Sequence, residues 1–151
     1  MEKPLFILNG PNLNRLGTRE PQIYGSATLS DIEALCRAAV PGLAVDFRQT
    51  NFEGQLVEWV HEAIEKAAAI IINPAAWSFT SIALLDALKM YPGPILEVHI
   101  SNIHRREAHY HHSYVSLVAT AVIAGLGAEG YPAAVRAAAA ILGAKSDSAT
   151  G

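Results

Sequence analysis

The residues of this chain best suited to chemistry lie in three stretches, each beginning where an apolar run stops. Ile7-Leu8 gives way to Asn9-Gly10-Pro11-Asn12 and a polar loop that carries Arg19 and Tyr24. Ile71-Ile72 ends in Asn73-Pro74, and Pro94-Ile95-Leu96 leads into Glu97-Val98-His99-Ile100-Ser101 and on to Arg106. Such a change marks a buried strand running out into a site, because open parallel sheets bind ligands beyond the carboxyl ends of their strands. His99 is the leading candidate for an acid or base, with a core histidine whose bonds are all satisfied as the rival reading. A phenol titrates at about 10 when unperturbed, so a tyrosine such as Tyr24 serves as a base at neutral pH only where a cation stabilises the phenolate. Arg19 suits that task because a guanidinium keeps its charge. Tyr and Arg also decorate loops for packing, and the pair gains force from sharing a rim with His99 and the amides of Asn12 and Asn73.

The elements that must position these groups alternate between strand and helix signals. Leu5 to Leu8 reads as a short buried strand, and the loop from Asn9 to Gly25 is long enough, without periodicity, to be functional. Thr28 can cap a helix with Asp31 in its first turn and Ile32, Leu35 and Ala39 on one face, ending at Pro41-Gly42. Leu43 to Phe47 is a second strand, and a helix from Glu53 places Leu56, Val60, Ile64 and Ala67 at helical spacing. The continuously apolar run from Ala69 to Ile72 predicts a strand covered on both faces. Ser78 or Thr80 can cap a helix carrying Ile82, Leu85, Ala87 and Leu88, which Tyr91-Pro-Gly-Pro94 breaks before the fourth strand. Ala119 to Ala124 makes a fifth strand, Tyr131 to Leu142 a last helix, and residues 143–151 a frayed tail beyond a single catalytic domain of residues 1–142. This pattern predicts an α/β fold: a flavodoxin-like three-layer sandwich whose five-stranded parallel sheet has the order 2-1-3-4-5. In that order the three polar exits share one rim.

Bulk properties exclude several classes. Charged residues make up only 17% of the 151, with eleven Lys and Arg against fourteen Asp and Glu. That balance gives no electrostatic footprint for nucleic acid or an anionic membrane, and so little charge predicts surface hidden in an oligomer. Cys36 is the single cysteine, which fits a reducing cytoplasm, and no apolar run approaches a membrane span. Gly125-Leu-Gly-Ala-Glu-Gly130 is a literal G-x-G-x-x-G, but the further strand and the acidic residue that hold a dinucleotide have no room to follow; glycines in a tight turn are the better account. His99, His104, His109, His111 and His112 lie close together without recognised zinc spacing, so no metal is expected. Lys3, Lys66, Lys89 and Lys145 all fall away from the rim, which argues against Schiff-base chemistry. Asn9 and Asn73 stand where a phosphoryl acceptor would need carboxylates.

Taken in order, Asn9-Gly-Pro-Asn-Leu-Asn with Arg19-Glu-Pro and Ile23-Tyr-Gly25, then Ile72-Asn-Pro-Ala-Ala with Thr80-Ser81 and Asp86-Ala87, resemble type II 3-dehydroquinate dehydratase. Glu97-Val-His-Ile-Ser-Asn-Ile-His with Arg106-Glu107, His112-Ser-Tyr114 and Gly125-Leu-Gly extend the resemblance, which covers residues 5 to 142. It implies a cytoplasmic homododecamer built of trimers. It also implies elimination of water from 3-dehydroquinate, giving 3-dehydroshikimate in the shikimate pathway of aromatic amino-acid biosynthesis, with no cofactor. By matching position, Tyr24 would be the base, favoured as a tyrosinate by Arg19, and Asn12 would hold the water that stabilises the enolate. His99, oriented by Glu97, would protonate the departing hydroxyl. Asn73, Ile100 and Ser101 would fix the substrate, Arg106 would order the loop, and Asp86 would reach in from a neighbouring subunit.

Two positions depart from the family pattern. Phe79 stands where a substrate-binding His is usual, and Tyr110 where an Arg contacts the substrate. Tyr110 still offers a hydroxyl, and His109 or His111 can stand in, whereas Phe79 cannot replace the lost donor. These departures keep two alternatives open: the same chemistry on a less hydroxylated cyclic keto acid, and a non-catalytic ligand-binding relative.

Overall fold

Five parallel strands form one sheet in the computed structural model, which describes residues 2–18 and 20–150, with side chains as far as Gly143. The strands are β1 (Leu5–Asn9), β2 (Val45–Gln49), β3 (Ala69–Asn73), β4 (Ile95–His99) and β5 (Ala121–Ala124), in the order β2-β1-β3-β4-β5. The helices are α1 (Pro21–Tyr24), α2 (Leu29–Ala39), α3 (Glu53–Lys66), α4 (Ile82–Lys89) and α5 (Gly130–Thr150). Side chains alternate along a strand, so β1, β3 and β4 feed two cores. Leu5, Ile7, Ile71, Leu96 and Val98 meet Ile32, Cys36, Tyr131 and Val135 of α2 and α5, while Phe6, Leu8, Ile70, Ile72 and Ile95 meet Leu56, Val60, Leu84 and Leu88 of α3 and α4. This is the three-layer arrangement and strand order that the alternating sequence pattern predicts. The register sets Asn9 opposite Asn73, and Ile72 opposite Glu97, which brings Asn9, Asn73 and His99 to the same end of the sheet.

Local rules account for most boundaries, and tertiary packing moves the rest. The Thr28 hydroxyl accepts the Asp31 N–H at 3.1 Å while the Asp31 carboxylate accepts the Thr28 N–H at 3.0 Å, the reciprocal cap expected of α2. Its buried face is Ile32 and Cys36, one turn apart, and Leu35 is exposed. Helix α4 is capped by Ser81, whose hydroxyl accepts the Leu84 N–H at 2.9 Å, and not by Ser78 or Thr80. Ser78 is instead buried in the 3-10 turn Ala75–Phe79, and the shifted start leaves Ile82 exposed. Strand β2 begins two residues later than expected and continues through Arg48 and Gln49, because an edge strand can carry polar side chains that point away from the core. Helix α5 runs to Thr150, through the stretch expected as a tail. The loop from Asn9 to Gly25 holds the 3-10 turn Leu13–Arg15 and α1, and the buried side chains of Leu13 and Leu16 pin it to the sheet.

Candidate active site

A pocket with a cavity volume of about 70 Å³ opens beyond the carboxyl ends of β1, β3 and β4. A cavity needs about 10–15 Å³ to hold one water, so this is room for several waters or for a small polar molecule. Asn12, Tyr24, Asn73, His99, Ile100, Ser101, Arg106 and Tyr110 all line it, so most of the expected site residues converge.

The acidic corner is built on β4. His99, the last residue of that strand, is 4% exposed, and its Nε2–H donates to the carboxylate of Glu97, which is wholly buried. The other Glu97 oxygen accepts the Ser116 hydroxyl at 2.6 Å. Burial pushes the Glu97 carboxyl up, but the hydrogen bond and charge of His99, with the Ser116 hydroxyl, hold it below the ordinary carboxylate value. An ionised Glu97 fixes the ring and leaves Nδ1 as the nitrogen that can serve the pocket.

The phenol comes from α1. Tyr24 is its last residue, and Gly25 at φ +80° turns the chain away immediately after it. Arg106 Nη1 donates to the Tyr24 hydroxyl at 3.1 Å and to Ser101 Oγ at 3.4 Å, and its guanidinium lies 5.6 Å from the Tyr24 ring centroid. Arg106, read from the sequence as ordering the loop, is thus itself a cation at the phenol. Arg19, the expected partner of Tyr24, lies outside the described residues.

The amide side rests on groups that the sequence reading did not single out. Asn73 Nδ2 donates to the Tyr131 hydroxyl at 2.8 Å, and that hydroxyl donates to Asn9 Oδ1 at 2.7 Å. Burial raises the Tyr131 phenol well above its usual range, so it remains a neutral group able to accept from one amide and donate to the other. Asn73 Oδ1 also accepts the Ala75 N–H at 3.1 Å, holding Ala75 at φ +51°, a conformation that side-chain-bearing residues seldom adopt. Asn12 is likewise left-handed, at φ +70°, and its N–H donates to Asn51 Oδ1 at 2.8 Å while Gln49 Nε2 donates to the Gly10 carbonyl at 3.1 Å. Gly10 packs so closely on the Pro74 carbonyl that a Cβ would overlap it. Gln49 and Asn51 leave the end of β2, and the same strand-exit rule that found Asn9 and Asn73 would have found them. Ser116 and Tyr131 had no such local signal.

Asp86 does not reach this pocket; it lies on α4, largely exposed, 3.9 Å from Lys89. His104, His109, His111 and His112 line a shallower surface hollow, and no group of three or more His, Cys, Asp or Glu among the described residues is arranged to hold a metal ion. Gly125 at φ +92° and Gly127 at φ +62° serve the turn into α5, as the tight-turn reading of that motif expects.

The sequence profile described as "Dehydroquinase class II" matches residues 3–139. The chain belongs to the class II dehydroquinase family. A 3-dehydroquinate dehydratase from Streptomyces avermitilis is 61% identical over 141 residues, covering 91% of this chain and 89% of that protein. The crystal structure of a type II dehydroquinase from Propionibacterium acnes superposes with a TM-score of 0.83 at 48% identity, covering 90% of this chain and 95% of that one. That of a type II dehydroquinase from Butyrivibrio crossotus gives 0.84 at 34% identity, covering 91% and 97%. In this class II dehydroquinase the two positions read from the sequence as departures from the family pattern touch each other. The Phe79 and Tyr110 rings meet edge to face with centroids 5.2 Å apart, and Phe79 also stacks against His99 at 6.2 Å.

Proposed function

We propose that this class II dehydroquinase is a 3-dehydroquinate dehydratase that eliminates water from 3-dehydroquinate, through an enolate, to give 3-dehydroshikimate. The observation that carries this is the convergence of a phenol beside a guanidinium and an imidazole beside a buried carboxylate on one small pocket. Tyr24, as the phenolate, removes the proton alpha to the ketone; Arg106 stabilises the anionic oxygen, and Arg19 is assigned the same task by its position in the family pattern. Negative charge then develops on the ketone oxygen, where a water held by Asn12 meets it. His99, kept in orientation by Glu97, protonates the departing hydroxyl. Asn73, Ile100 and Ser101 fix the substrate, and Tyr110 borders it. An elimination of this kind moves protons and a hydroxyl but neither electrons nor a carried group, so it calls for no cofactor.

The same reading includes a cytoplasmic assembly of several subunits, a homododecamer of trimers in its full form. Asp86 is remote from its own pocket, and Ile82 on the same helix is 55% exposed and Leu117 74% exposed, which suits a face covered by another copy. No helix among the described residues is long and apolar enough to cross a membrane.

Purified protein mixed with 3-dehydroquinate should generate the ultraviolet absorbance of a conjugated enone, and Tyr24→Phe should reduce kcat by about 10³-fold or more, at the upper end of what a general base contributes. Absence of the signal at saturating substrate, or a fully active Phe variant, would reject the reading. Sedimentation should show an assembly larger than one subunit.

A further inference from the structure

Arg106 is held from both ends. Its backbone carbonyl accepts the Nε2–H of His111 at 2.5 Å, and its guanidinium lies over the face of Tyr110, 4.1 Å from the ring centroid. Tyr110 is itself backed by two rings: Phe79 meets it at 77° with centroids 5.2 Å apart, and His109 lies 4.1 Å away. Phe79 also stacks on His99, with ring centroids 6.2 Å apart and planes at 28°. A continuous line of contacts therefore runs from His99 through Phe79 and Tyr110 to Arg106 and on to the hydroxyl of Tyr24.

A guanidinium on an aromatic face is attracted by the ring's quadrupole and keeps its N–H groups, which lie in its own plane, for other partners. Here Nη1 is spent on Tyr24 and Ser101. An aromatic ring has few rotatable bonds, so a platform made of two packed rings holds its cation at small entropic cost. We infer that Phe79 and Tyr110 act as one aromatic brace, a pair of positioning residues that fix the Arg106 guanidinium against the Tyr24 phenol. The two departures from the family pattern are then a single coupled change, in which polar recognition at two positions is exchanged for a fixed cation at the base. This rests on Tyr24 being the base. Its second consequence concerns specificity: the wall formed by Phe79 offers no hydrogen bond, so the substrate edge facing it is bound by contact alone.

Five variants test the brace in the full-length protein, with enone formation from 3-dehydroquinate followed across pH. Tyr110→Leu, which keeps bulk but removes the ring, should lower kcat about tenfold with KM changed less than about threefold, and the acid-side fall in rate should move to higher pH. Tyr110→Phe should recover at least half of the kcat lost in Tyr110→Leu. Phe79→Leu should cost about threefold, and the double variant should be no more than about twofold below Tyr110→Leu, because residues sharing one contact are not additive. Tyr110→Arg should lower kcat, since it sets a second cation against Arg106; a gain in turnover would overturn the brace and mark Tyr110 as no more than a missing substrate contact. Independent, multiplying effects of Phe79→Leu and Tyr110→Leu, or a pH profile that does not move, would overturn it as well. A crystal structure of Tyr110→Leu gives a readout free of turnover: Arg106 should leave hydrogen-bonding range of Tyr24, and an unmoved guanidinium would refute the brace even if the wild-type protein failed to dehydrate this substrate.

Discussion

Two carboxylates in this chain face cationic or cation-forming partners, one wholly buried and one partly open to solvent. Glu97 is wholly buried at the rim, between His99 and Ser116. Glu62, 31% exposed on α3, grips Arg48 with both oxygens at 2.5 and 3.1 Å, and Arg48 forks at the same time onto Asp46 at 2.8 and 2.9 Å while lying 4.6 Å over the Phe6 ring. Hydrogen bonds from Arg48 bring the Glu62 carboxyl down to about 2, against little burial. Glu97 is also held low, but there burial opposes the shift and its bonds must overcome it. A partly exposed pair such as Glu62 with Arg48 contributes about 1 kcal/mol or less, because water still competes for both partners. A buried charge costs several kcal/mol unless it is fully paired, so a carboxylate kept at the rim is better explained by what it does to His99 than by what it adds to stability.

Removing the charge at each site breaks the comparison most directly. Glu97→Gln should lower kcat by about 100-fold, within the ~10²–10⁴ that general acid–base catalysis supplies, with KM little changed. The same change at Glu62 should leave kcat within twofold. Equal effects on kcat from the two variants, measured in the enone assay, would show that the rim carboxylate is merely structural. Ser116→Ala tests the next layer. It leaves one Glu97 oxygen without its donor, and a bond to a charged group is worth about 1.5–3 kcal/mol; since Ser116 itself is partly exposed, a loss of about 1.5 kcal/mol in unfolding free energy is expected, with a several-fold drop in kcat. A denaturant midpoint identical to wild type would remove Ser116 from the site.

How readily each region could be read from sequence follows from how locally it is encoded. The sheet order came from alternation of strand and helix signals, and His99, Asn73 and Asn12 from the abrupt change of residue type at strand exits, both visible within a few neighbouring positions. The pairing of Glu97 with His99 was implied only by the family resemblance, and the structure gives its reason: the two residues lie two positions apart on one strand and their side chains meet. Tyr131 was not. Its hydroxyl joins Asn73, 58 positions away, to Asn9, 122 positions away, and nothing near Tyr131 distinguishes it from a core aromatic. The bond from Arg106 to Tyr24 spans 82 positions and depends on how two loops fold back over the rim. The contact between Phe79 and Tyr110 is of the same kind: each residue was visible as a departure, but their meeting is a fact of three dimensions. The cap of α4 moved to Ser81 because Ser78 was drawn into the core, which is packing overriding a local preference.

The smallest expected effect sharpens the comparison through pH. In the unfolded chain a glutamate titrates at about 4.3. Folding lowers Glu62 to about 2, so between those values the unfolded state binds more protons than the folded one. Stability must therefore rise with pH across that window, being fully present above it and lost as pH falls through the folded value. Glu62→Gln removes this one dependence. Thermal unfolding of the variant should lie below wild type by about 1 kcal/mol near neutrality and should converge with it as pH approaches 2, since partly exposed pairs contribute little even when intact. Glu97, also held below the ordinary carboxylate value, should give its own loss of stability on acidification, and that loss should persist unchanged in Glu62→Gln. A variant whose deficit grows on acidification would reverse the sign and show that Arg48 does not hold Glu62 in its charged form.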